Sequence, residues 1–289
     1  MIRVLSLVEN TAPKAELLGE HGLAMWIEIG DRRVLFDTGQ GLALLHNARA
    51  LNVPLERADA IVLSHGHYDH TGGLAAALDR APAARLYAHP EAFIPRFACA
   101  PDGVARDIGI READRNAAQG GTLEIVETMR PTEVASGLFA TGPVPRETEY
   151  EQTGGPFFLD RDCRRPDPLN DDQALFFDTA EGTVVLLGCA HAGVVNTLTH
   201  VRRLTGGKPI RAVIGGMHLG NASEDRLDKT VAAFDKMNIH CLRPAHCTGA
   251  KAVARMRQAF PDRCDTWSVG TELAFSDAKR IHIATTAFS

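Results

Sequence analysis

Short apolar runs rich in Val, Ile and Leu alternate with longer amphipathic stretches along this chain. Residues 3–8 predict a first strand. Residues 23–29 predict a second, and Gly30-Asp31 a tight turn into Arg33-Val34-Leu35-Phe36, so the two form a hairpin. Leu42-Ala43-Leu44-Leu45 opens a helix after Asp37-Thr38-Gly39. The β-branched run at 59–63 predicts a buried strand, residues 74–78 the start of a helix, and residues 85–88 a short strand ending at His89-Pro90. Further strands are expected at 123–126 and 137–140. In the second half the pattern predicts strands at Ala174–Thr179, 183–187, 211–214 and 239–243, with helices at Val194–Leu204, 225–237 and 250–260. Leu227, Val231 and Phe234 fall on one stripe of the middle helix. Short strands are expected near Trp267, Leu273 and Ile281.

The two halves resemble each other. Ala174-Leu175-Phe176-Phe177-Asp178-Thr179 echoes Val34-Leu35-Phe36-Asp37-Thr38, and the strand leading to His191 echoes the one leading to His65. Strands followed by helices in two similar halves predict two mixed sheets packed face to face with helices outside. The expected fold is α/β, a four-layer αββα sandwich in one domain over residues 1–289. Two stretches, 93–121 and 143–172, lose the period and mix charge with Gly and Pro. They are read as insertions or lids, since long loops in compact domains are usually functional.

The chemistry concentrates in Ser64-His65-Gly66-His67-Tyr68-Asp69-His70-Thr71-Gly72-Gly73, on a strand-to-helix turn. Imidazole is the commonest metal ligand and suits zinc and iron. His65 and His67 are two apart, so on extended backbone both face one way. One metal rarely takes four ligands from six consecutive residues, so two metals sharing them fit better. His191, His218 and His246 stand at other strand ends, where open α/β sheets bind ligands. His191 and His246 are read as further ligands, and His218 as a donor to a substrate oxygen or, alternatively, another ligand. His89 is given a structural role. His21, His46, His200, His240 and His282 have no constellation around them.

With 289 residues, a net charge of -5 and a pI near 6.2, the chain lacks the basic footprint of a nucleic-acid binder. No apolar run approaches the roughly 20 residues that span a bilayer, and Glu9-Asn10 ends the first apolar run too early for a signal sequence. A cytoplasmic location, a small-molecule substrate and no nucleic-acid or membrane partner are expected, with self-association left open. The six cysteines form no C-x-x-C pair, so most are expected as free thiols.

His65-Gly66-His67-Tyr68-Asp69-His70 matches H-x-H-x-D-H, and Leu35-Phe36-Asp37-Thr38-Gly39 its upstream companion motif. On these residues the chain resembles the metallo-β-lactamase superfamily, whose fold is an αββα sandwich. Thr141-Gly142-Pro143-Val144-Pro145-Arg146, Asp171-Asp172-Gln173-Ala174-Leu175, Gly188-Cys189-Ala190-His191-Ala192-Gly193 and Pro244-Ala245-His246-Cys247-Thr248-Gly249 resemble the subgroup related to dihydropterin–ribofuranosylaminobenzene phosphate synthases of methanopterin biosynthesis. In one respect the chain departs from the family pattern. Many members place a metal-bridging aspartate after a late strand, and here Gly188-Cys189-Ala190-His191 offers no carboxylate. Cys189 either takes that place or is a buried free thiol, the second reading being preferred.

The resemblance implies two divalent cations, zinc first, with iron or manganese as alternatives. His65, His67 and His191 are assigned to one metal and Asp69, His70 and His246 to the other. A metal-bound hydroxide, oriented by Asp69, would then hydrolyse a small ester, phosphoester or acyl substrate. Asp37 would fix a histidine tautomer from behind the ligands. Arg146 and Asp172, on the long loops, are read as substrate contacts. The alternatives are a pterin-pathway transferase on the same metals and a non-haem iron redox or sensor protein.

Overall fold

The computed structural model describes residues 1–120, 123–151 and 155–276. One sheet has seven strands, in the order Glu272–Phe275, Ile2–Val8, Ala24–Ile29, Arg32–Phe36, Ala60–Val62, Arg85–Ala88 and Ile125–Glu127. The other has six, in the order Cys241–Ala245, Ile210–Gly216, Gly182–Leu187, Ala174–Thr179, Leu138–Ala140 and Thr132–Ala135.

The side-chain period of two explains how one run of apolar residues serves two cores. Met25, Ile27, Val34 and Phe36 point to the space between the sheets, where they meet Leu175, Phe177, Val184 and Leu186. Trp26 and Leu35 point the other way, against Leu44, Leu74 and Leu78 of the helices outside the first sheet. Phe176, Val185 and Leu187 likewise face Leu198, Val201, Leu227 and Phe234 of the outer helices on the second. The result is the expected four-layer αββα sandwich.

Each sheet contains a hairpin followed by two parallel strands reached through helices. Ala24–Ile29 pairs antiparallel with Arg32–Phe36, which pairs parallel with Ala60–Val62. Ala174–Thr179 pairs antiparallel with Gly182–Leu187, which pairs parallel with Ile210–Gly216. The duplicated plan is therefore present, but the sequence echo is one strand out of step. Asp37 ends the strand entering the site. Asp178 ends the preceding strand, at the far end of the sheet, where it accepts the Thr183 hydroxyl and pairs with Lys208.

The two stretches without a period meet as one small sheet, in the order Phe157–Phe158, Phe97–Cys99 and Ala105–Asp107. The helix Glu112–Gln119 follows. Cys99 and Cys163 are joined by a disulfide across this insertion, a pairing the spacing did not suggest, while Cys189, Cys241, Cys247 and Cys264 are free, so most are free thiols as expected. The strand expected near Trp267 is irregular chain, with its indole buried between the sheets. The strand expected near Ile281, and His282 with it, lie outside the described residues. No helix among the described residues is long and apolar enough to cross a membrane.

Candidate metal centre

The expected site residues lie on turns that follow the C-terminal ends of strands, Asp69 and His70 on the short helix Tyr68–Thr71. Asp37 follows Arg32–Phe36, the His65 turn follows Ala60–Val62, His191 follows Gly182–Leu187, His218 follows Ile210–Gly216 and His246 follows Cys241–Ala245. The turns are tight. Asp37, Ala190, His218 and His246 all take left-handed backbone, with φ of 58°, 55°, 47° and 50°. Such conformations cost free energy for non-glycine residues and persist where surrounding structure enforces them. A Cβ at position 66 would lie 2.2 Å from the Ala92 carbonyl oxygen, so only glycine fits between His65 and His67.

The rings are oriented from behind by hydrogen bonds. Asp37 Oδ2 accepts from His70 Nδ1 at 2.7 Å and from the Ser64 hydroxyl at 2.7 Å. Having donated to Asp37, Ser64 Oγ can only accept from His65 Nδ1, 2.9 Å away. Asn10 Oδ1 accepts from His246 Nδ1 at 2.9 Å. These bonds place a proton on Nδ1 of His65, His70 and His246 and turn the Nε2 of each inward. His65 Nε2 lies 3.0 Å from His67 Nδ1, and His70 Nε2 lies 3.3 Å from His246 Nε2 and 3.1 Å from Cys189 Sγ. The His191 ring sits 4.8 Å from that of His65 and 4.9 Å from that of His67. Asp69 Oδ2 is 3.3 Å from His246 Nε2.

Parts of each expected ligand set are brought together around Cys189, while Asp69 groups with His21 and His246 and His67 stands beside His65. The Cys189 sulfur groups with His65 and His191 on one side and with His70 and His246 on the other, all donor atoms of each group within 4.8 Å. Cys189 thus stands where the sequence lacked a bridging carboxylate.

The electrostatics fit a cation. Burial, then the neighbouring rings, hold His65 well below the ordinary imidazole pKa, and burial with Arg96 does the same for His67. Both are neutral, as ligands must be. Burial alone would raise the Asp69 carboxyl, but hydrogen bonds from His21 and His246 outweigh it and hold the group well below the usual range. Burial opposes a charge on His70 too, yet Asp37 overcomes it and lifts that ring to about 9. Burial, with the Cys247 thiol beside it, pushes the Cys189 thiol up. In the metal-free chain the His70 proton lies among these donors, and a bound cation would take its place. The buried His67 Nε2 has no hydrogen-bond partner among the described residues. The residues present fit divalent cations.

His218 lines the cavity over the centre, about 320 Å³ in volume, together with Phe157, whose ring packs 5.2 Å from His67 and 5.5 Å from His191. Arg146 and Asp172, expected on substrate, brace the turn that carries His191. Arg146 donates to the carbonyls of His191 and Pro168. Asp172 Oδ2 accepts from the Ala192 N–H at 2.8 Å, and burial raises its carboxyl to about 6. His89 is structural, its Nδ1 accepting from the Glu91 N–H.

Sequence reasoning passed over His21, which lies 3.1 Å from Asp69 Oδ2, and Cys247, whose sulfur accepts from the His218 N–H. It also passed over Glu9-Asn10. Glu9 accepts from the His246 N–H, and Asn10 holds that ring. Both follow the strand Ile2–Val8, so the strand-end position that flagged His191 would have flagged them too.

A two-sheet sandwich with a histidine-rich centre at one end of its strands defines a metallohydrolase-type fold and site. Residues 18–208 match the metallo-β-lactamase superfamily, and the chain belongs to it. An uncharacterised protein of Methanocaldococcus jannaschii is 36% identical over 262 residues, which is 89% of this chain and 94% of that one. A 7,8-dihydropterin-6-methyl-4-(β-D-ribofuranosyl)-aminobenzene-5'-phosphate synthase of the same organism is 28% identical over 285 residues, 95% of this chain and 97% of its own. Among solved structures, a metal-dependent hydrolase of the β-lactamase superfamily aligns over 96% of this chain and 100% of its own, with a TM-score of 0.82 and 30% identity.

Proposed function

We propose that this chain is a hydrolase working through two divalent cations on a small ester, phosphoester or acyl substrate. The observation that carries the proposal is the convergence of two buried donor groups that share Cys189. The 30% identity to a metal-dependent hydrolase over nearly the whole chain supports it. His65, His67 and His191 would hold one cation and Asp69, His70 and His246 the other, with Cys189 reaching both. Imidazole and thiolate donors favour zinc over manganese. When bound, the cations supply a nucleophile from water at neutral pH and a seat for the oxygen that gains charge.

The chain's own residues do the rest. Asp69, gripped by His21 and His246, orients the attacking water and accepts its hydrogen bond. Asp37, Ser64 and Asn10 keep the imidazole protons on Nδ1. His218 faces the cavity and donates to the developing oxyanion. Phe157 walls off bulk water on the side of His67 and His191.

The test is a panel of aryl esters, thioesters and phosphodiesters with metal-loaded protein and with His67→Ala and His246→Ala. Hydrolysis of at least one class, reduced at least 100-fold in both variants, is expected. Rates equal in variant and wild type would overturn the reading. A pterin-linked transfer is the second reading, favoured by the 28% identical synthase. Pyrophosphate release that requires both a pterin diphosphate and an aryl co-substrate would decide for it.

A further inference from the structure

The insertion that lies over the metal motif also builds a second cleft beside it. The backbone around Gly109 pairs with that at His67, and the Tyr68 N–H donates to the Ile108 carbonyl at 3.0 Å. The strand Ala105–Asp107 is thereby fixed to the turn that bears His67 and Asp69. Tyr68 and Arg106 line both the cavity over the centre and this neighbouring cleft of about 560 Å³, so the two spaces adjoin.

The lining of the cleft is cationic. Arg106, Arg111 and Arg115 line it, against Asp107 and Glu112. Asp107 is engaged elsewhere, accepting from the Gly109 N–H and lying 3.6 Å from Arg161. Three guanidinium groups thus face one carboxylate not otherwise engaged. The Arg106 and Arg111 guanidinium carbons each lie 5.9 Å from the Tyr68 ring centroid. Arg111 is held by the Gln40 carbonyl, which leaves further N–H groups to donate. Arg106 has no carboxylate partner among the described residues, and its recorded neighbour is the Tyr68 ring. Positioned guanidinium groups with donors to spare match the oxygens of a phosphate.

We propose that this cleft is a subsite for a phosphate group carried by the substrate at a distance from the bond that reacts. The reacting bond lies over the histidine centre, and the phosphate lies among Arg106, Arg111 and Arg115. The inference rests on reading that centre as the reacting site.

Calorimetric titration of the metal-loaded protein with phenylphosphonate tests it without requiring turnover. Arg106→Ala and Arg111→Ala are each expected to weaken binding roughly tenfold, the scale of one charge-assisted hydrogen bond, with metal content unchanged. Phenylacetate is expected to bind at least tenfold more weakly than phenylphosphonate. Binding within twofold of wild type in both variants would place the oxyanion on the metals and overturn the subsite. Equal binding of phenylacetate would overturn the phosphate assignment, and so would no detectable binding of phenylphosphonate. A hydrolase panel without turnover would count against the proposed reaction and leave the arginine result to be read separately.

Discussion

At the scale of single residues, the His70–Asp37 pair would couple the proposed metal binding to protons. His70 stands at about 9 without a metal, and a cation on Nε2 requires the neutral ring. Loading metal-free protein at pH 7.5 in weak buffer is therefore expected to release about one proton from this ring in addition to that of the Cys189 thiol, the ring's share vanishing near pH 10. Asp37→Asn is expected to remove the ring's share and leave that of the thiol, because the ring loses the charge that raised it. The same pair sets a stability trend. A folded pKa above the ordinary 6.5 contributes stability that is complete below 6.5 and lost as pH rises through about 9. The melting temperature of metal-free protein should fall across that window, and Asp37→Asn should flatten the fall. Asp37 and the H-x-H-x-D-H residues were legible because they are contiguous and sit at strand ends. His21 was not, since its partner Asp69 is 48 positions away and a lone histidine carries no spacing. That Arg146 and Asp172 brace backbone was not legible, because loop charges face either solvent or backbone and only the fold shows which.

At the scale of elements, two carboxylates do work that periodicity does not reveal. Glu151 accepts from the N–H groups of Val195 and Asn196, capping the helix Val194–Leu204 from a distant loop. That helix begins beside His191, so Glu151→Ala should cost about 1–2 kcal/mol in denaturant unfolding and lower metal affinity as the turn loosens. Asp171 joins the insertion to the motif. One oxygen accepts from the Gly66 N–H, and the other from the fully buried Arg96, both at 2.7 Å. Arg96→Met should leave Asp171 and Asp167 buried without their cation and cost about 3–5 kcal/mol by the same measurement. The helix Val194–Leu204 was legible to its boundaries because its apolar residues Val194, Leu198, Val201 and Leu204 recur every three to four positions. The insertion was not. Its strands are two or three residues long, and pairing across the chain and a disulfide hold them, leaving no period to read.

At the scale of the whole molecule, one sandwich holds strand ends from both halves against each other. The αββα plan was visible in the succession of strands and helices, whereas the half-to-half register was not. The echo of Leu35-Phe36-Asp37-Thr38 in Leu175 to Thr179 reflects strands apolar on both faces, and it falls on a strand running away from the site. The Cys99–Cys163 disulfide restrains only the small sheet above the sandwich. Cys163→Ser should increase hydrogen exchange across residues 97–107 while leaving the metal content unchanged. The central claim is that this end of the sandwich holds two divalent cations, one served by His67 and the other by His246. Elemental analysis of purified, metal-reconstituted protein tests it most directly. About two equivalents per chain are predicted for wild type, falling to about one in His67→Ala and in His246→Ala; an unchanged metal content in both variants would contradict it.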